Sequence, residues 1–388
     1  MRFCEYVWWG SEQLLYKCWR GGSCMQSILG YTRTSFDTFD ARPFCQVDSL
    51  VLSSIAYTFF PEEILRPGDW NGIHFSDLLR SEYFRQMFHG IWNGKSCLEL
   101  LLALACSPRF REIQICGYTQ QYDALTEKQF SAVTFRLTDD TTYIAFRGTD
   151  SSIIGWKEDF NMAFQDPISG QLEALRYLHD AATHCPGKLY LGGHSKGGNL
   201  AVYSAVKADP SIRRRILGIY SHDGPGFLRS FFELPEYAQM KDRIHKTVPQ
   251  SSLVGMLFET QEEYKVVKSR AFSLFQHDPA TWIVDGYDFA YADHLNNGAR
   301  HMDEHLNAWI LQLSVRDRER FVDTLFDLLS AVDVSSTEEL IADWSSNLQT
   351  LMQAARELDP DSREFLQRTI RDLFTIGLKA LPDKLRKK

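Results

Sequence analysis

The stretch LYLGGHSKGGNLAVYSAV, residues 189–206, joins an apolar strand-like run to a helix-like run through a turn that holds a serine between glycines. The turn fits G-x-S-x-G, and a strand before this motif with a helix after it is the setting of a nucleophile elbow. Gly193 and Gly197 remove Cβ atoms where such a sharp turn would clash with neighbouring backbone. The context predicts that Ser195 is a nucleophile. The alternative is an ordinary serine that caps the helix.

The composition is that of a globular protein with an ample core: 44% of the 388 residues are hydrophobic and 24% are charged. This length suits one large α/β domain with a smaller unit beside it. The net charge of −8 gives no long-range attraction for phosphate backbones, so we expect no nucleic-acid partner. The short basic tail Lys384–Lys388 is expected to be solvated, with peripheral contact to an anionic membrane as the alternative.

No apolar run is long enough to span a bilayer, and the N-terminal residues lack the pattern of a signal peptide. We therefore expect a cytoplasmic protein. The eight cysteines include no C-x-x-C pair, which argues against a zinc site and a thioredoxin-type motif and favours buried thiols. We expect neither a metal nor another cofactor.

Three regions of the chain differ in pattern. Residues 1–35 show no sustained period, and Met25 is a candidate start that would make the residues before it an extension. Residues 36–297 begin with helical stretches, continue with a β-hairpin at SAVTFRLTDDTTYIAF, and then alternate strands with helices. This alternation predicts an α/β fold with a mostly parallel sheet flanked by helices. Residues 298–388 hold amphipathic, glycine-poor segments, which predict a helical C-terminal module.

A serine nucleophile needs a base that takes its proton and a carboxylate that orients the base, here in the chain order Ser, Asp, His. Asp223 is the preferred acid because it follows the strand-like ILGIYS; the alternative is a turn aspartate that bonds its own backbone. His277 is the preferred base because it lies on a loop after the last strand-like run, EYKVVKS, and His294 is the alternative. A metal site at His277 and Asp278 lacks a third ligand. The other histidines after Asp223 are predicted to be structural or solvated: His245, His301 and His305.

An oxyanion hole needs two backbone N–H donors, one from the residue after the serine and one from a loop after an earlier strand. Lys196 supplies the first by its position. Thr149, at the end of the strand-like run in AFRGTD, is the candidate for the second and offers its hydroxyl as well. The side chain of Lys196 is predicted to point to solvent; the alternative is that its ammonium attracts an anionic group at the pocket entrance.

With these residues the chain resembles a lipase-type α/β-hydrolase. AFRGTDSSIIGWKEDF, residues 145–160, is similar to the class 3 lipase segment in which F-R-G-[ST] ends a strand and W-x-x-D follows. The resemblance implies that Thr149 is the oxyanion donor and that Asp159 lies near Arg147. Five further segments resemble an uncharacterised lipase-like family, a domain of unknown function: PFCQVDSLVLSSIAY, GGHSKGGNLAVYSA, SHDGPGF, TVPQSSLVGML and QHDPATW.

The acid departs from the class 3 lipase pattern. Those lipases place their acid after the next strand, where this chain has Ser251 and Ser252 in TVPQSSLVG. An acid one strand earlier, as in the G-L-D-P-A turn of pancreatic-type lipases, corresponds to Asp223 and is preferred. An incomplete triad is the alternative.

The resemblance implies a serine hydrolase that cleaves carboxylic esters, of lipids or of short acyl groups, through an acyl-enzyme intermediate. The competing hypothesis is a catalytically silent hydrolase fold that recruits a partner through its C-terminal helices. Peptidase and thioesterase activities would use the same acyl-transfer residues, and a fold alone does not decide among them.

Overall fold

The computed structural model describes residues 25–91, 93–150, 152–258, 263–296, 299–300, 307–310, 312–332 and 344–380. Residues 1–24, His301, His305 and the tail Lys384–Lys388 lie outside the described residues, and the predictions made for them stay predictions. In the part that is described, no helix combines the length and the apolar character needed to cross a membrane.

The described strands form two sheets. In chain order they are β1 (Met25–Gln26), β2 (Gln114–Asp123), β3 (Lys128–Thr138), β4 (Thr141–Phe146), β5 (Lys188–His194), β6 (Ile216–His222), β7 (Ile244–Pro249), β8 (Tyr264–Val267), β9 (Val284–Asp285), β10 (Asp288–Phe289) and β11 (Tyr291–Ala292). The large sheet has eight strands in the spatial order β11-β8-β7-β6-β5-β4-β3-β2, and β1, β9 and β10 form the small sheet.

The large sheet is mixed. Its five strands from β4 to β8 run parallel to one another, whereas β2, β3 and β11 pair antiparallel with their neighbours. The predicted hairpin is β3 and β4, and the α/β fold class is confirmed. Strand β2 was not predicted: it lies at the edge of the sheet, and its second half alternates between half-buried and exposed residues.

Helices cover both faces of the large sheet. They are α1 (Ile28–Thr34), α2 (Gln46–Ile55), α3 (Phe84–Phe88), α4 (Gly94–Cys106), α5 (Ile153–Asn161), α6 (Ser169–His184), α7 (Lys196–Lys207), α8 (Pro210–Arg213), α9 (Arg229–Phe232), α10 (Pro235–Met240), α11 (Val315–Ser330), α12 (Trp344–Glu357) and α13 (Pro360–Ala380). The helical C-terminal part of the prediction is therefore present in α11 to α13.

Strand β5 illustrates how the core lies on both sides of the sheet. Leu189 and Leu191 pack with apolar residues of α6 and α7 on one face, and Tyr190 stacks on Phe44 beside α2 on the other, with ring centroids 4.8 Å apart. Side chains of a strand alternate between faces, so a strand covered on both sides needs apolar residues at successive positions. Burial of β5 on both faces explains why its residues are apolar up to the glycines, where the strand reaches the turn.

The C-terminal helices pack against α5. Phe326 of α11 contacts Phe160 of α5, with ring centroids 5.7 Å apart, and Asp323 lies 3.3 Å from Lys157. The apolar cluster there joins α11 and α13: Trp309, Phe321, Val322, Phe326, Phe365 and Leu366. The helical part thus rests on the helix that follows the AFRGTD turn.

A buried ion pair fixes the layer of helices on the α2 face. Asp48 of α2 and Arg109 have fully buried side chains, with Nη2 of Arg109 2.6 Å from a carboxylate oxygen of Asp48. Tyr31 of α1 donates its hydroxyl to the same carboxylate at 2.7 Å. Ile28 and Tyr31, within residues 1–35, therefore contribute to the main core. Arg109 also donates to backbone carbonyls of Asp37, Thr38, Arg42 and Pro43.

Replacing Arg109 by Met is expected to lower the free energy of unfolding by about 3–5 kcal/mol, because it leaves the carboxylate of Asp48 buried without its cation. Urea unfolding measures the change. The matched control is Arg111→Met: that side chain is 53% exposed and 3.2 Å from Glu112, so a loss below about 0.5 kcal/mol is expected. Equal losses in the two variants would contradict the prediction.

Candidate active site

Ser195 occupies the turn between β5 and α7 in a backbone conformation that is rare for a residue with a side chain. Its φ is 57° and its ψ is −136°, and its N–H donates to the carbonyl of His222 at 2.9 Å. A capping serine has extended dihedrals and a side-chain oxygen that accepts a hydrogen bond from the first turn, and Ser195 has neither. Ser195 stands at the N-cap position, but its side chain does not cap the helix, so capping does not account for the strained turn.

Missing Cβ atoms let the serine turn lie against the end of β4. A Cβ on Gly197 would stand 2.1 Å from the carbonyl oxygen of Phe146, and one on Gly193 would stand 2.3 Å from the backbone of Gly197. Gly148, in the turn after β4, was not predicted: its Cβ would stand 2.1 Å from the hydroxyl of Tyr57 and 3.1 Å from Cβ of Ser195. The glycine in AFRGTD is the sequence feature from which the role of Gly148 could have been predicted.

Asp223 and His277 come together although they are far apart in the chain. Nδ1 of His277 lies 2.6 Å from Oδ2 of Asp223. Asp223 follows β6 with φ of 51° and is fully buried, whereas His277 ends a short helical turn, Ser273–His277, with a side chain 31% exposed. Because a carboxylate only accepts, Nδ1 carries the proton, and in the neutral ring Nε2 keeps its lone pair. The pair has the arrangement of an oriented base.

The segment after β7 supports the acid. The hydroxyl of Ser252 donates to Oδ1 of Asp223 at 2.5 Å, and the N–H of Gly255 donates to the same oxygen at 3.2 Å. This is the stretch in which class 3 lipases carry their own acid. Here it supplies donors to a carboxylate that stands one strand earlier.

The structure shows no hydrogen bond between the Ser195 hydroxyl and His277. Among the described residues, the Ser195 hydroxyl has no hydrogen-bond partner. The ring of His194, the residue before it, packs on the ring of His277 with centroids 4.5 Å apart. Bonds between a nucleophile and its base are often long without substrate and tighten when it binds. The absence of this bond is therefore compatible with a nucleophile and its base.

The turn after β4 places Thr149 near the elbow. Within the described residues, no backbone hydrogen bond uses the N–H of Thr149 or of Lys196. The hydroxyl of Thr149 donates to Oδ2 of Asp159 at 2.6 Å, so it is engaged and only the N–H is open. Arg147 places Nη2 3.3 Å from Asp150, with its guanidinium over the ring of Phe59. The implied proximity of Arg147 to Asp159 stays a prediction.

The prediction that the Lys196 side chain points to solvent is wrong. That side chain is 1% exposed, and its ammonium lies 2.7 Å from Oε2 of Glu158. Gln129 accepts two further hydrogen bonds from it, at 2.9 Å through the backbone carbonyl and 2.8 Å through the side-chain oxygen. Glu158 also accepts from the N–H of Gly170 at 2.7 Å. The lysine is buried because each of its three donors finds an acceptor.

The ammonium of Lys196 lies near two carboxylates, those of Glu158 and Asp159, and is closer to Glu158. Oδ1 of Asp159 lies 3.9 Å from Nζ of Lys196, farther than Glu158, and this oxygen has no hydrogen-bond partner among the described residues. Burial raises the pKa of Asp159 to about 6, although Lys196 and the hydroxyl of Thr149 each oppose that rise. The pKa of the carboxyl that holds Thr149 thus lies above its usual range.

His294 lies away from these residues. It is exposed just after β11 and lines a pocket of about 600 Å³ at the β8–β11 edge of the sheet, together with Lys265 and Tyr291. Asp223 bonds to His277 and not to His294. No group of three or more His, Cys, Asp or Glu side chains in the described ranges is arranged to hold a metal.

A family profile described as Mbeg1-like matches residues 104–327, more than half of the 388 residues. The chain belongs to the Mbeg1-like family. The predicted membership of an uncharacterised lipase-like family is confirmed by this match. No curated protein matches the Mbeg1-like chain.

Solved lipases are similar to the Mbeg1-like chain at low identity. Rhizomucor miehei lipase in its native propeptide complex is 18% identical, with a TM-score of 0.37 over 64% of this chain and 73% of that one. Lip2 lipase from Yarrowia lipolytica is 12% identical, with a TM-score of 0.35 over 67% of this chain and 88% of that one.

The raised pKa of Asp159 makes stability depend on pH. The unfolded carboxyl ionises near 3.8, so between about pH 4 and 6 the folded protein keeps a proton that the unfolded chain has lost. Above about pH 6 both states are ionised, and the cost of holding the charge in a site that leaves the side chain 27% exposed remains. Asp159→Asn removes that cost. Relative to the wild type, its free energy of unfolding is expected to rise by about 2 kcal/mol as the pH rises from 4 to 7.

Urea unfolding at a series of pH values measures this difference. The control is Asp140→Asn, because that carboxylate is 66% exposed and should show no comparable trend. A constant difference between Asp159→Asn and the wild type across the pH range would contradict the prediction.

Proposed function

We propose that this protein is a serine hydrolase that cleaves carboxylic esters through an acyl-enzyme intermediate. The observation that carries the proposal is the 2.6 Å contact between Asp223 and Nδ1 of His277, which leaves Nε2 as a base beside a strained serine turn. Membership of a lipase-like family supports the same chemistry. Ser195 is the proposed nucleophile, His277 the base and Asp223 the acid.

In the proposed reaction, Oγ of Ser195 attacks the ester carbonyl carbon while its proton passes to Nε2 of His277. Asp223 stabilises the imidazolium that forms and holds the ring in the correct tautomer. The carbonyl oxygen gains negative charge and accepts hydrogen bonds from the N–H groups of Thr149 and Lys196. The C–O bond to the leaving alcohol then breaks, and the imidazolium donates its proton to that alcohol. Water attacks the acyl-enzyme by the same route and releases the carboxylic acid.

The burial of Lys196 limits what its charge can do in this reaction. The ammonium is neutralised by Glu158 and enclosed by Gln129, so it offers no free cation to an anionic ester. Its proposed contributions are the backbone N–H and a fixed start for α7. This argues against the alternative that Lys196 attracts an anionic substrate group.

Lipid or short acyl esters are the proposed substrate class, and that choice rests on the family likeness. A silent scaffold has less support, because apolar residues of α11 and α13 pack among themselves and against Ile153 of α5. Peripheral membrane contact and a cytoplasmic location stay predictions from the sequence.

Labelling with a fluorophosphonate probe tests the proposal directly. The probe should form a bond between phosphorus and Oγ of Ser195 with loss of fluoride. Ser195→Ala and His277→Ala are expected to reduce labelling by about 10³-fold or more, and Asp223→Asn by about 10²–10⁴-fold because the base loses its correct tautomer. Gel fluorescence and intact mass measure the adduct, and hydrolysis of p-nitrophenyl esters of several chain lengths measures turnover.

His245→Ala is the matched control, since that histidine lies on β7 against the ring of Tyr220, with centroids 5.1 Å apart, and should label like the wild type. Each variant is compared by circular dichroism before labelling, so that unfolding is not mistaken for lost chemistry. Well-folded wild-type protein that does not label would overturn the proposal.

A further inference from the structure

His194 connects the serine turn to the loop that carries His277. It is the last residue of β5 and directly precedes Ser195, and it is 4% exposed. Its Nε2 lies 2.8 Å from the backbone carbonyl oxygen of His277, and its Nδ1 lies 3.1 Å from the hydroxyl of Tyr57. The two histidine rings are also packed together, with centroids 4.5 Å apart.

The hydrogen-bond partners of His194 determine its tautomer. A carbonyl oxygen only accepts, so Nε2 must carry the proton and donate to His277. Nδ1 then has a lone pair, and Tyr57 donates its hydroxyl to it. Burial, and next the neighbouring His277, lower the pKa of His194 to about 3, so the ring is neutral at ordinary pH. Tyr57 thereby favours the one tautomer that can hold the carbonyl of His277.

The residues that flank His277 are held by other segments: the side-chain oxygen of Gln276 accepts from the N–H of Ser251 at 2.7 Å, and Asp278 accepts from Asn93 at 2.8 Å. Phe272 and Phe275, just before His277, are 74% and 59% exposed. Gln276 is held from the core side, where Nε1 of Trp282 donates to its carbonyl at 2.8 Å. At His277 itself the anchors are Asp223 on the ring and His194 on the backbone carbonyl. Fixing both the side chain and the main chain leaves the imidazole little freedom to turn.

We propose that His194 is a positioning residue that holds the backbone of His277 in place relative to Ser195, with Tyr57 fixing the tautomer that allows it. This rests on the proposed function, because it assigns the base that Ser195 uses. His194 and Ser195 are adjacent, so one rigid dipeptide carries the nucleophile and the anchor of the base. A displacement of about 1 Å between reacting groups lowers the rate by about 10²-fold. An anchor that prevents such a displacement would therefore preserve the rate.

Two substitutions at this position separate a hydrogen-bonding role from a packing role. His194→Phe keeps an aromatic ring but removes the donor, and His194→Gln places an amide N–H near the position of Nε2. We expect His194→Phe to slow fluorophosphonate labelling by about 30–100-fold, and His194→Gln to stay within about fivefold of the wild type. Labelling rates are measured across pH 5–9, where loss of the anchor should also move the midpoint of the pH profile.

Tyr57→Phe gives a second test that leaves His194 in place, and an intermediate loss of about three- to tenfold is expected. A readout independent of turnover is the low-field proton resonance of the Asp223–His277 hydrogen bond, recorded in a Ser195→Ala background. It should persist with His194→Gln and weaken or shift with His194→Phe.

The outcomes distinguish this inference from the proposed function. If the wild type does not label, the proposed function fails, and the proton resonance still reports on His194. If folded His194→Phe labels like the wild type and keeps the resonance, the positioning role is overturned. If His194→Gln is as slow as His194→Phe while both are folded, the ring itself and not its donor is required, and the hydrogen-bonding role is likewise overturned. Should His194→Phe fail to fold, Tyr57→Phe and His194→Gln carry the test.

Discussion

The candidate site depends on a close approach of backbone between the end of β4 and the turn after β5. Gly197 lies so near the carbonyl of Phe146 that a Cβ there would stand 2.1 Å from its oxygen. No side chain rearrangement relieves a clash with backbone, so the approach requires glycine. The approach brings Gly148 and Thr149 beside Ser195. The same contact therefore sets the distance between Ser195, the proposed nucleophile, and the N–H groups proposed to bind the oxyanion.

The buried charge of Lys196 stabilises this arrangement of the serine turn. Lys196 begins α7 at the elbow, and its ammonium ties that helix to Glu158 of α5 and to the carbonyl of Gln129 on β3. A buried ion pair is a poor source of stability unless its remaining groups are satisfied, and here they are. What the pair provides is a fixed relation between the elbow and α5. Because Asp159 on α5 holds Thr149, both proposed oxyanion donors depend on the same cluster.

The fold was largely predictable because its central elements show their period locally. Strand β5, the glycine turn and α7 follow from residues 189–206 alone, and Asp223 and His277 follow from chain order and loop placement. Partners from distant segments were not predictable. Lysine is usually exposed, and only the folded chain brings Glu158 to Lys196. The role of Gly148 likewise depends on the hydroxyl of Tyr57, some 90 residues earlier in the chain.

The parallel order of the strands explains why an acid can stand after β6 instead of after β7. Carboxyl ends of neighbouring parallel strands meet at one edge of a sheet, so β5, β6 and β7 all deliver residues to the same place. Strand β5 provides Ser195 and the anchor at His194, β6 provides Asp223, and the segment after β7 provides Ser252 as a donor to that acid. Moving the carboxylate by one strand keeps it within reach of His277 while freeing the next segment to bind it. Ser252, which stands in place of the expected acid, therefore supports the proposed acid Asp223 through a hydrogen bond.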